Sequence, residues 1–214
     1  MASKNIAIFC DGTWQHLDQR HPTNVNRLAR CVLPFDDNAT PQVVRYDDGV
    51  GVATGILDHA TAFIGGVFGE GLENKVMRAY EFLCLNYNPD DGIFIFGFSR
   101  GAYTARSLAG LLDLVWILRR DHADRITDVR DFHHDPVRRE RSAAGLARKD
   151  AIRQFRSEHC HPTGHIQYVG VWDTVGALGI PKGMLMSRQV NAKFEFLNTD
   201  LSPIVRSGIM EQTP

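Results

Sequence analysis

Ser99 stands between two glycines in Gly97-Phe98-Ser99-Arg100-Gly101, a G-x-S-x-G pattern. A serine hydroxyl attacks an ester carbonyl only when it is lifted clear of the chain and hydrogen-bond donors wait for the oxyanion. The backbone N–H of Arg100 lies next to the hydroxyl at a helix start and suits that role. A second donor is expected from the loop Gly12-Thr13, which follows an apolar run. Asp173 closes another apolar run further along, where a carboxylate would orient an imidazole base. The chemistry on offer is nucleophilic acyl transfer.

The pattern alone is weak, since an ordinary glycine-containing turn also carries it. Its flanks give it meaning. Ile93-Phe94-Ile95-Phe96 predicts a buried strand, and the segment from Ala102 predicts a helix with Leu108, Leu111, Leu112 and Val115 on one stripe. A strand, a sharp turn and a helix present the serine at the tip of a nucleophile elbow. Side chains at positions 97 and 101 would collide with the neighbouring strand or helix, hence the glycines.

Composition sets the frame. The chain has 214 residues, 43% hydrophobic and 23% charged, with a formal net charge of -1. That is enough for one domain with a full core. The charge gives no general attraction to nucleic acid, and none is expected as a partner. No apolar run is long enough to span a membrane, and no signal peptide precedes the first strand. A cytoplasmic protein, or one exported without a signal peptide, is expected. Cys10, Cys31, Cys84 and Cys160 lack C-x-x-C spacing and are expected as reduced, mostly buried thiols.

In chain order, Lys4–Cys10 predicts a strand covered on both faces. It ends in Asp11-Gly12-Thr13-Trp14. A phosphatase of the haloacid dehalogenase type would need an aspartate where Phe9 stands, so that chemistry is excluded. Asp11 is either part of a site at a strand's carboxyl end or a turn former that bonds nearby N–H groups. Thr23–Leu33 predicts a helix with Val25, Leu28, Ala29 and Val32 inward. Gln42–Tyr46 predicts a strand that ends at Asp47 and Asp48, which are metal ligands or a hydrogen-bonded turn. Residues 49–71 are glycine-rich without a nucleotide-binding pattern and predict a loop near the site, with 61–67 packing over it or touching lipid. Glu70–Tyr87 predicts an amphipathic helix with Val76, Ala79, Tyr80 and Leu83 on one face.

Residues 119–164 predict a helical insertion. From Arg119 to Arg156 there are eleven Arg/Lys against seven Asp/Glu. It is either a cap whose basic face, within 119–156, meets an anionic substrate or membrane surface, or a solvated insertion of mixed charge. His133-His134-Asp135 and His159-Cys160-His161 with His165 are metal-ligating types, but their spacing matches no established zinc pattern, and no metal is assigned. His165–Trp172 predicts the strand that delivers Asp173.

Five motifs together resemble the α/β-hydrolase phospholipase effectors of bacterial type VI secretion and their relatives in bacteria and fungi. They are Phe9-Cys10-Asp11-Gly12-Thr13-Trp14, Tyr46-Asp47-Asp48-Gly49-Val50-Gly51, Asn74-Lys75-Val76-Met77-Arg78-Ala79-Tyr80, Phe96 to Arg106 around Ser99, and Gly170-Val171-Trp172-Asp173-Thr174-Val175-Gly176. The resemblance implies an α/β-hydrolase-like three-layer sandwich with a largely parallel sheet and the helical insertion, in one domain over 1–214. It implies a serine esterase of phospholipase type with Ser99 as nucleophile and Asp173 as triad acid. No organic cofactor is needed for that reaction. The family places its triad histidine downstream of Asp173, yet all nine histidines precede it, His165 being the last. The expectation is therefore a chain that stops short of the base, at the C-terminus of the hydrolase domain. The alternatives are an upstream histidine, His161 or His165, standing in for the base, and a catalytically silent binding or regulatory module of the same fold.

Overall fold

The structure is a computed structural model and describes residues 3–12, 15–49, 67–135, 137, 141–172 and 203–211. The strands are β1 (Asn5–Cys10), β2 (Gln42–Asp47), β3 (Gly92–Phe98), β4 (Ile166–Trp172) and β5 (Gly208–Glu211). They form one sheet in the order β2-β1-β3-β4-β5, and every pair is parallel. The helices are α1 (Asn24–Cys31), α2 (Val67–Asn86), α3 (Arg100–Val115), α4 (Ile126–His134) and α5 (Ala143–His159), with a 3-10 turn over Arg120–Arg125.

The period-2 pattern of β1 assigns the layers. Ile6, Ile8 and Cys10 pack into one core with Ile93 and Ile95, the α2 face Val76, Ala79, Tyr80 and Leu83, and the α3 stripe Leu108, Leu111, Leu112 and Val115. Ala7 and Phe9 point the other way, onto Val25 and Ala29 of α1, with Phe94, Phe96 and Trp172 alongside. The central strands β1 and β3 are thus covered on both sides, as the interior of a parallel sheet requires. The result is the expected three-layer, α/β-hydrolase-like sandwich. Cys10, Cys84 and Cys160 are buried and Cys31 is exposed, all as free thiols.

The order β2-β1-β3 means that the chain leaves β1 in one direction and returns to its other side. This reversal opens a crevice at the carboxyl ends of β1 and β3, where open α/β sheets place their sites. Asp11 and Gly12 follow β1 there, and Ser99 follows β3.

The insertion packs against the core through Val129, Phe132, Ile152 and Phe155. Arg120 donates to the Leu85 carbonyl at 2.6 Å, near the end of α2. From there α4 runs back along α2 until His133 meets Glu73. The last turn of α5 lies beside the last turn of α3, with Arg156 donating to the Asp113 carbonyl at 3.1 Å. The end of α4 at His134 and the start of α5 at Ala143 therefore lie toward the carboxyl edge of the sheet, the same edge as Ser99. Among the described residues no helix is long and apolar enough to cross a membrane.

One expectation is corrected. In α1, Leu28 is exposed, while Asn26 is fully buried and donates to the carbonyls of His16 and Leu17 at 2.8 and 3.2 Å. The helix face is turned by this side chain, which ties down the loop before it. At the C-terminal end of the described residues, Gly208–Glu211 forms a strand that pairs with Val169–Trp172. A short, half-exposed sequence takes strand form here because β4 offers an unpaired edge.

Candidate active site

Ser99 has φ 52° and ψ −118°. Positive φ is costly for a residue with a Cβ, by about 1–3 kcal/mol, and persists only where the surroundings enforce it. They do so here. The Ser99 N–H donates to the Trp172 carbonyl at 2.9 Å, which continues the β3–β4 ladder up to the turn. The Ala102 N–H then bonds back to the Ser99 carbonyl at 3.0 Å, starting α3 at once. No intervening residue is left to relax the bend.

The two glycines are required by contact. A Cβ on Gly97 would lie 2.4 Å from the Gly101 oxygen, and one on Gly101 would lie 2.0 Å from the Cys10 oxygen. The first turn of α3 is thus seated directly on the carboxyl end of β1. Arg100 heads that turn at the positive end of the helix dipole.

Asp11 sits in the same crevice, 4% exposed. Its carboxylate accepts from the Thr23 hydroxyl at 2.8 and 3.0 Å, from the Tyr46 hydroxyl at 2.5 Å and from the Gly12 N–H at 2.7 Å. Burial, and then the bond to Asp11, push the Tyr46 phenol far above its ordinary range. This network joins β1, β2 and the cap of α1, whose Thr23 also accepts from Asn26 N at 3.0 Å. The Gly12 N–H, expected as an oxyanion donor, is engaged by the Asp11 carboxylate. Thr13 lies outside the described residues.

Below the elbow Cys10, Asp11, Asp47, Leu72, Lys75, Arg100, Gly101 and Thr104 line a narrow crevice. Burial lowers the Lys75 ammonium despite the nearby Asp47, and burial lowers the Arg100 guanidinium. Burial and the Asp47 charge push the Cys10 thiol up to about 12, so it is not a nucleophile at neutral pH. Asp47 is held by Arg45 through two bonds of 2.9 Å. Asp48 is exposed, accepts from the Leu17 N–H at 3.3 Å, and its carbonyl accepts from Lys75. The two aspartates thus diverge, and no metal pair forms from them among the described residues.

The histidines sort by edge. Ile166 pairs with Ile93 at the amino end of β3, so His161 and His165, which precede it, lie at the edge opposite Ser99. Six strand residues separate the two edges, about 20 Å at 3.3 Å each. Neither is positioned to serve Ser99. Asp173 lies outside the described residues, as do 50–66. The residue before it, Trp172, is paired with Phe98 and bonded to Ser99.

The family described as "T6SS, Phospholipase effector Tle1-like, catalytic domain" matches residues 4–209. The chain belongs to this family. Among curated proteins, the Tle1-like chain is 25% identical over 198 residues to "Uncharacterized protein YEL023C" of Saccharomyces cerevisiae, covering 86% of this chain and 28% of the yeast protein. The chain thus spans under a third of that relative's length. No solved structure matches.

Sequence reading missed the residues that complete the Tle1-like crevice. Thr23 and Tyr46 hold Asp11, and Lys75 lines the wall. Tyr46 and Lys75 fall inside motifs that carry the family resemblance, which was the available signal. His133 and His134 were singled out, but with the wrong carboxylate. Asp135 bonds Arg148 at 2.6 Å, and it is Glu73 that meets both imidazoles. Burial alone would raise the Glu73 carboxyl, but the hydrogen bond and charge of His133 outweigh it and hold the group below its ordinary value.

Proposed function

We propose that this chain is the nucleophile-bearing part of a serine ester hydrolase acting on phospholipids. Ser99 attacks the ester carbonyl. The N–H groups of Arg100 and Thr13 hold the oxyanion, and Asp173 orients the imidazole that accepts the serine proton. The observation that carries this reading is the positive-φ turn at Ser99 between β3 and α3, locked by glycines on both sides. A merely structural turn would use glycine at such a φ, because serine there costs stability. The family's description supplies the substrate class, and with it a type VI secretion route. Residues 119–164 act as a cap in this reading. Their basic surface, within 119–156, meets the anionic face of a membrane, and the end of α4 and the start of α5 share the edge of Ser99.

The base is not among residues 173–214, which contain no histidine. Loss of a triad member costs about 10⁴- to 10⁶-fold in rate, with the oxyanion donors retaining the remainder. The test is chemical rescue. Fatty-acid release from phospholipid in mixed micelles is measured with residues 1–214 at rising imidazole concentration. The reading predicts saturable acceleration that Ser99→Ala abolishes. The Gly12 N–H, engaged by the Asp11 carboxylate rather than open to an oxyanion, favours a second reading, a silent lipid-binding module. That reading predicts micelle binding with no Ser99-dependent release at any imidazole concentration.

A further inference from the structure

We propose that Glu73, His133 and His134 bind one zinc ion that fastens the inserted helix α4 to α2 at the carboxyl edge of the sheet. Two imidazoles from consecutive residues converge on a single carboxylate oxygen. His133 Nδ1 and His134 Nε2 each lie 3.1 Å from Glu73 Oε1. Zinc bonds of about 2.0–2.1 Å at tetrahedral angles separate neighbouring donor atoms by about 3.3 Å. Two edges of the coordination polyhedron are therefore already set. All three donor atoms lie within 4.8 Å of one another, and among the described residues this is the cluster of His, Cys, Asp and Glu that converges in this way.

The environment fits a bound cation. The side chains of His133 and Glu73 are 7% and 17% exposed, so packing holds them, whereas His134 is 51% exposed. The exposed third ligand closes the remaining edge on the side open to solvent, from which an ion would enter. Both histidines lie in the last turn of α4, where the helix dipole favours positive charge. Imidazole nitrogen with one carboxylate is a donor set suited to zinc, and three protein ligands leave a fourth position open. Without a metal, one carboxylate oxygen must serve two rings. A divalent ion satisfies all three donor atoms at once.

The location gives the site a consequence. Glu73 lies between Leu72 and Lys75, which line the crevice beneath Gly101. Its charge reaches Tyr103 in the first turn of α3 and helps raise that phenol, after burial. A metal here would set the position of the insertion relative to the elbow. This proposal does not depend on Ser99 being a nucleophile.

The test uses protein stripped with EDTA. Zinc binding is followed by calorimetry and cobalt binding by visible absorption. One equivalent is expected, with the intense bands of four- or five-coordinate cobalt and a rise in Tm that EDTA reverses. Glu73→Gln, His133→Ala and His134→Ala each weaken binding by about 100-fold or more, whereas His122→Ala leaves it unchanged. His134 is exposed, so its variant remains folded and keeps the test decisive. Absence of saturable binding, or binding that survives all three ligand variants, overturns the proposal.

Discussion

At the scale of single residues the decisive feature is the backbone of Ser99. Its φ of 52° is a conformation that glycine adopts freely and serine does not. Replacing Ser99 by glycine should therefore stabilise the fold, by about 1 kcal/mol in denaturant melts, while removing the hydroxyl. A loss of stability would show that the turn is not strained. Ser99 was legible in sequence because sterics dictate the glycines on either side. The contacts of Gly97 and Gly101 are backbone atoms that any sequence shares. The partners of Asp11 were not legible in the same way. Thr23 and Tyr46 reach it from a helix cap and from β2, and sequence separation carries no record of which side chains will meet. The same holds for Glu73, which displaced Asp135 as partner of His133 because α4 lies along α2.

At the scale of elements, the start of β1 is tied to the turn before β3 by one buried carboxylate. Asp91 accepts from the Lys4 N–H at 2.9 Å, from Lys4 Nζ at 2.5 Å and from the Asn88 N–H at 2.7 Å. Its side chain is fully buried, so losing it leaves two backbone N–H donors and the Lys4 ammonium without their acceptor. Asp91→Ala should cost about 3–5 kcal/mol in chemical unfolding, against under about 1 kcal/mol for breaking the exposed Arg125–Asp128 pair. The loop from α1 to β2 makes a pH-dependent contribution. Asp36 accepts from the N–H groups of Thr40 and Asn38 at 2.8 and 2.9 Å. These bonds, that from Thr40 foremost, hold its carboxyl below its ordinary value of 3.8. A carboxyl that titrates lower when folded stabilises above its unfolded value and loses that contribution as pH falls through the folded one. Thermal melts of Asp36→Asn should thus fall below wild type near neutrality and converge with it in strong acid. A gap that stays constant with pH would contradict this. Strands β1 and β3 were legible as apolar runs buried in the sheet, and α2 and α3 because their burial follows a helical stripe. Strand β5 was not. Ile209 and Met210 are 60% and 45% exposed, so no apolar pattern marked them, and the edge of β4 alone selects the strand.

At the scale of the whole molecule, the strand order explains why chemistry gathers where it does. The reversal around β1 leaves the crevice that Asp11 and Ser99 share, and the insertion turns at that same edge. The alternation of strands and helices along the chain determines neither the order nor the reversal. Both follow from which strand edges pair, a property of the folded sheet. The central claim is that Ser99 is a presented nucleophile, and its most direct test is covalent labelling. Folded protein is treated with a fluorophosphonate, with and without imidazole, and its peptides are weighed. The account predicts an adduct on Ser99 that imidazole accelerates and Ser99→Ala removes. Folded protein that carries no adduct at Ser99 under either condition would contradict it.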